Sequence, residues 1–186
     1  MARRYGKKGE KADKFPRQLV LAEQWAKQMG KKVDRVEVTL PNGNKIPILA
    51  IMHGNRAVLI STQHEVIFIF ITIEIPKDIR KRLDNLDIAK QEKILLSLEH
   101  QLLSNARTAY RLEPQIVKKV SDLNKIIVEE SIRISNKDKS SFNRFADAIQ
   151  EVITVAVRAM FVFGIIPPEM SSVDPTKIKP PEGMYA

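Results

Sequence analysis

Catalysis would need groups that move protons, hold metals or attack bonds, and this 186-residue sequence offers few of them in convergent patterns. Cysteine is absent, which removes thiol nucleophiles, thiolate metal sites and any disulfide framework, and gives no sign of an oxidising compartment. The three histidines, His53, His64 and His100, fall in or beside turns and on a helix, and none has a partner at zinc-ligand spacing. Glu129 and Glu130 are adjacent, but neighbouring strand residues point to opposite faces, so they are not expected to pair as acid and base. Asp84 and Asp87 flank Leu86 at a helix junction, where helix caps or first-turn acids are the expected roles. The seven glycines never form GxxxxGK or GxGxxG, so no nucleotide cradle is expected. The expectation is a non-enzymatic protein with no catalytic residue, metal, cofactor or small-molecule substrate.

Charge is the next signal. The net charge is +9, and the first 17 residues hold Arg3, Arg4, Lys7, Lys8, Lys11, Lys14 and Arg17 against only Glu10 and Asp13. Residues 1–17 therefore read as a basic flexible arm, too poor in apolar groups to order itself alone. A solubilising tail, a phosphate-binding arm and a membrane-surface anchor all fit a basic leader. The last lacks the amphipathic face and lipidation motif it would want. Tyr5 within Arg3-Arg4-Tyr5-Gly6-Lys7-Lys8 adds a stackable ring among guanidinium forks, a combination suited to RNA phosphates and exposed bases. The pairs Lys31-Lys32 and Lys118-Lys119, and Lys77 with Arg80, Lys81 and Arg82, could extend that surface, although helix and loop lysines are more often solvated charge.

The remaining sequence reads as one packed domain over 18–166, followed by a proline-rich tail over 167–186 with Pro167, Pro168, Pro175, Pro180 and Pro181. Leu19, Ala22, Ala26 and Met29 recur at helical spacing between Phe15 and Met29, and Gly30 is placed to stop that helix. Val33–Leu40, Lys45–Met52 and Arg56–Thr62 are rich in β-branched residues and separated by turns, which predicts an antiparallel meander. Glu65–Ile75 contains the apolar run Val66–Ile71, so it is expected to be a central strand covered on both sides. After Pro76, the spacing predicts a short helix marked by Ile79, Leu83 and Leu86, then a longer one from Ile88 to about Ser104. A second strand pair is expected at Ala106–Leu112 and Lys125–Ile134. A long final helix capped by Ser140 or Ser141 carries Phe142, Phe145, Ile149, Val152, Ala156, Ala159 and Phe163.

A second apolar stripe, Ile153, Val157 and Phe161, runs beside the first on that helix and asks for cover from another element or a second copy. Those three residues and Trp25 are the candidate partner-binding positions, with Trp25 read first as a packing anchor. Six of the seven phenylalanines fall in expected strands or the last helix, where core packing is favoured over base stacking. The apolar stretch Val152–Ile166, broken by Thr154, Arg158 and Gly164, is too short to span a bilayer. No signal peptide is legible and a cytoplasmic location is expected. High isoleucine usage without cysteine hints at a thermophile.

The resulting order, α-βββ(β)-α-ββ-α, predicts an α+β fold with helices flanking a mainly antiparallel sheet. Three segments carry a family resemblance: Val66–Pro76 leading into a helix, Leu102-Leu103 to Leu112-Glu113-Pro114, and Ile126–Ile134 followed by Ser141-Phe142-Asn143-Arg144-Phe145. Across 19–165 the chain resembles the type III secretion chaperone-like fold, in particular a small uncharacterised archaeal family with that fold. The resemblance implies protein partners and dimerisation, with no enzymatic residues. Two functions are expected in turn. The first is an RNA-bound or ribonucleoprotein-associated protein, ribosomal association included, held by Arg3, Arg4, Tyr5, Lys7, Lys8, Lys11, Lys14 and Arg17. The alternative is a chaperone-like adaptor acting as a homodimer.

Overall fold

The structure, a computed structural model, describes residues 15–39, 43–53, 56–134 and 139–165. The chain runs α1 (Arg17–Gln28), β1 (Val33–Thr39), β2 (Lys45–His53), β3 (Arg56–Gln63), β4 (Val66–Glu74), α2 (Lys77–Asp84), α3 (Ile88–Leu102), β5 (Ala109–Glu113), β6 (Lys125–Arg133) and α4 (Lys139–Val162). A single 3-10 turn at Val120–Asp122 precedes β6. The six strands form one antiparallel sheet in the order β1-β2-β3-β4-β6-β5, and this is the α+β architecture the periodicities predict. No described helix is long and apolar enough to cross a membrane.

Glycines make the stops of α1 and α4. Gly30 has φ +70° and donates to Lys27 O, while Lys31 N–H reaches back to Ala26 O at 3.0 Å, so two last-turn carbonyls of α1 are satisfied. Gly164, at φ +67°, ends α4 in the same way, with Ile165 N–H on Met160 O. A side chain at either glycine would strain the left-handed backbone. Asp87 caps α3 by accepting Lys90 N–H at 2.8 Å, the role its place at the helix junction predicts.

Three boundaries move. Helix α1 begins at Arg17, and Phe15 packs against the core beneath the Arg35 guanidinium, 4.5 Å from the ring centre, so 15–17 belong to the fold and not to the arm. Strand β5 starts at Ala109 and not at Ala106, because Asn105 accepts Arg107 N–H at 2.9 Å and its carbonyl takes the Thr108 hydroxyl, closing a turn there. Helix α4 begins at Lys139, which puts Ser140 and Ser141 in its first turn and not at the cap; Ser141 is buried.

Among the described residues, the helices cover one side of the sheet. Odd-numbered Leu49, Ile51, Ile67, Ile69, Ile71 and Ile73 join Val58, Ile60, Ile126, Val128 and Ile132 in a core closed by α1, α2, α3 and α4. Helix α4 lies over β4 and β6, α1 lies over the β1-β2-β3 end, and α3 packs along α4. Trp25 joins the two sheet-covering helices, with its ring 5.5 Å from Phe145 and 6.3 Å from Phe142. Fully burying a side chain the size of Phe145 is worth about 1.5–3 kcal/mol, so this aromatic junction anchors the helical layer.

Candidate functional site

The register decides which side chains face away from the helices. Ladder partners Val36 and Ile48, Ala50 and Leu59, Leu59 and Phe70, Ser61 and Phe68, and Phe70 and Glu129 all fall on the second side of the sheet. Its apolar members Val36, Ile48, Leu59, Phe68, Phe70 and Ile127 belong to no part of the core cluster. Val36 is exposed at 39%, Leu59, Phe68, Phe70 and Ile127 are half-buried, and Ile48 is buried. Among the described residues no helix lies over this side.

This corrects two expectations. Strand β4 is central but, among the described residues, helices cover it on one side only, and alternate residues from Val66 to Thr72 are half-buried. Phe68 and Phe70 are surface residues of the sheet and not core packing. An unbroken apolar run ordinarily means a strand buried on both faces. Here the crossover from β4 to β5 and the final helix all return to the same side, which nothing within β4 could signal.

Part of the charge on the open side is paired across strands. Arg111 on β5 reaches Glu129 on β6 at 3.0 Å, and Lys125 reaches Glu113 at 3.1 Å. The apolar centre is thus bordered by these two pairs at the β5-β6 end and by exposed Asp34, Glu74 and Arg133 elsewhere, a mixed-charge rim around a surface that an apolar protein segment matches better than a polyanion does.

A second feature lies between sheet and helix. Glu130, on the covered side of β6, is 8% exposed and stands beside Glu151 of α4. One carboxylate oxygen of each, Glu130 Oε2 and Glu151 Oε2, is buried without a hydrogen-bond donor. Desolvation, then the neighbouring Glu151 charge and hydrogen bond, push the Glu130 carboxyl up to about 7, against the opposing pull of Arg107 and Arg144. Arg107 donates to Glu151 at 3.2 Å. A proton shared by the two carboxyls supplies the missing donor. Alternation along β6 separates Glu129 from Glu130, as expected. The partner of Glu130 was not legible because it comes from α4, which sits over β6 only in the folded chain.

The basic group on α2 does assemble. Lys77, Arg80 and Lys81 line an open cleft of about 340 Å³, but Asp84, Ser121 and Asp122 complete its walls. Arg80 donates to Asn124, the Ser121 hydroxyl to Asp84 at 3.3 Å, and Lys119 approaches Asp84 at 4.0 Å. Acids interleaved with the cations make this a mixed-charge surface and not an anion cradle. Arg82 is exposed outside it.

The expected nucleic-acid residues Arg3, Arg4, Tyr5, Lys7, Lys8, Lys11 and Lys14 lie outside the described residues, as does the tail 167–186. Arg17 is exposed at the start of α1. The partner-binding set is corrected: Trp25 (9% exposed) and Ile153 are spent on the protein's own core, and Val157 is packed against it. Ile153 and Val157 thus find their cover within the chain's own core, and of this set Phe161, 45% exposed, is the residue open to a partner. His53 ends β2, His64 sits in the β3–β4 turn with φ +55°, and His100 is exposed on α3.

No protein-family model matches the sequence, and no curated protein is similar to it. Among solved structures, an uncharacterized protein from Methanothermobacter thermautotrophicus is similar in fold, with a TM-score of 0.60 at 14% identity over 78% of this chain and 95% of that one. YbjN from E. coli aligns at a TM-score of 0.44 and 14% identity, over 81% of this chain and 96% of its own. The first of these likenesses establishes a shared small α+β fold.

Proposed function

We propose that this protein is a non-enzymatic, protein-binding adaptor that docks an uncharged, apolar stretch of a partner protein on the open side of its sheet. The observation that carries this reading is the apolar surface around Val36, Leu59, Phe68 and Phe70, over which no described helix lies, with the paired charges Arg111–Glu129 and Lys125–Glu113 at one border. Contiguous apolar surface of this kind marks interaction sites on soluble proteins. Two half-exposed aromatic rings next to a half-exposed leucine are the residue types that anchor interfaces. The sequence resemblance to the type III secretion chaperone-like fold points to the same class of role. The alternative of RNA held by residues 1–17 draws its support from sequence charge alone.

The test is an array of short peptides graded from apolar to acidic and basic, probed with the full chain and with Phe68→Gln, alongside labelled oligouridine in solution. Preference for apolar peptides that is lost in Phe68→Gln, with its circular dichroism unchanged, supports the adaptor. Binding of oligouridine but of no apolar peptide, or equal peptide binding by the variant, overturns it.

A further inference from the structure

Among the described residues strand β1 is an edge, paired on one side with β2 and exposed along Asp34–Thr39. Met52 N–H donates to Lys32 O at 3.2 Å, on the pair that continues the Val33–Ile51 register outward. Antiparallel pairs alternate between those that exchange hydrogen bonds and those that do not. The even residues Asp34, Val36 and Val38 therefore turn their backbone groups to β2, and Val33, Arg35, Glu37 and Thr39 direct theirs away from it.

We propose that a second copy of this chain pairs with this edge, β1 to β1 and antiparallel, about a two-fold axis through Val36. A two-fold normal to the sheet keeps every side chain on its own face, so the axis must pass through a residue and not between two. An axis at Asp34, Arg35 or Glu37 sets a like charge against its own copy, which is unfavourable. An axis at Val36 is the centre of the seven-residue strand: it opposes Arg35 to Glu37 of the second copy twice, and uses the strand from Val33 to Thr39. The pairs formed by Val33, Arg35, Glu37 and Thr39 are then the hydrogen-bonded ones, supplying roughly eight backbone bonds.

Arg35 is already held in place by Glu23 at 2.8 Å and by stacking over Phe15, so its guanidinium is pre-positioned on the helix side of the edge. On the other side Val36 meets its own copy, and the open apolar surfaces of the two sheets become continuous. The same alternating charges that oppose other registers select this one, and an isologous pair closes without leaving β1 free to propagate. The dimer does not depend on the docking role of the open surface.

The natural chain contains no cysteine, so a single introduced thiol reports the register. At the axis, Val36 and its copy form a non-hydrogen-bonded pair with Cα atoms about 4.5 Å apart, within disulfide reach. Light scattering on the full chain is expected to give a dimer, with Val36→Cys cross-linking under mild oxidation and Val38→Cys not. Glu37→Lys, which opposes Lys to Arg35 and touches no core residue, is expected to weaken dimerisation about tenfold with its far-ultraviolet spectrum unchanged. A monomeric wild type, a Val38→Cys cross-link, or a dimer indifferent to Glu37→Lys would each overturn the proposal.

Discussion

Replacing Glu130 by Gln should stabilise the protein at alkaline pH and have little effect, or a slightly unfavourable one, in mild acid. The folded-state carboxyl is raised from 4.5 to about 7, chiefly by burial and then by Glu151. Between those values the folded chain holds a proton that the unfolded chain has released. Unfolding releases it, so the contribution is complete below about pH 4.5 and is lost as pH rises towards and through 7. Each tenfold change in proton affinity is worth about 1.4 kcal/mol, so the pair costs at most about 3 kcal/mol at pH 8. Water reaching Arg107 and the half-buried Glu151 reduces this to about 2 kcal/mol. Gln preserves the shape and supplies an N–H to the unpaired Glu151 oxygen without a second charge. Urea unfolding followed by circular dichroism and Trp25 fluorescence at pH 5 and pH 8 measures both proteins. The wild type should lose about 2 kcal/mol more than Glu130→Gln between the two pH values. Equal losses would refute the shared-proton account of this pair.

Other perturbations test the layer assignments. Phe145→Ala, which empties a fully buried site against Trp25, should cost about 3–5 kcal/mol in urea unfolding. Ile60→Ala and Leu59→Ala compare adjacent positions on opposite sides of β3: the first should cost about 2–4 kcal/mol and the second well under half as much, and equal costs would mean that the open side is covered. Arg107→Ala removes a cation that lowers the Glu130 carboxyl, so the pH-dependent loss of stability, which still begins near pH 4.5, should extend to higher pH and grow larger in the same assay.

Most of the fold was legible because local chemistry and long-range packing agree in this chain. Gly30 and Gly164 end helices as the only residue type that enters the left-handed region without strain, and Asp87 caps α3 from a junction visible in the sequence. Leu19, Ala22 and Ala26 lie fully buried where helical spacing places them. The covered and open sides of the sheet were not legible, because alternation assigns residues to two faces without saying which face the helices will choose. The run Val66–Ile73 satisfies both a doubly buried strand and one whose second side awaits a partner. Trp25 and Ile153 were ambiguous for the same reason, since an apolar stripe asks for cover but does not name it; α4 supplied it for Trp25, and the core of the folded chain for Ile153.

The sequence alone determined the element order, the absence of cysteine chemistry and the concentration of positive charge in residues 1–17, since these depend on residue identity and short-range spacing. Only the tertiary structure decided that every described helix lies on one side of the sheet, that Glu130 meets Glu151 across two elements, and that β1 is left as an edge. The physical reason is that each of these depends on segments far apart in the chain meeting at one place. Which faces meet is settled by how the whole sheet and its helices share a single core, and no local window of residues contains that information.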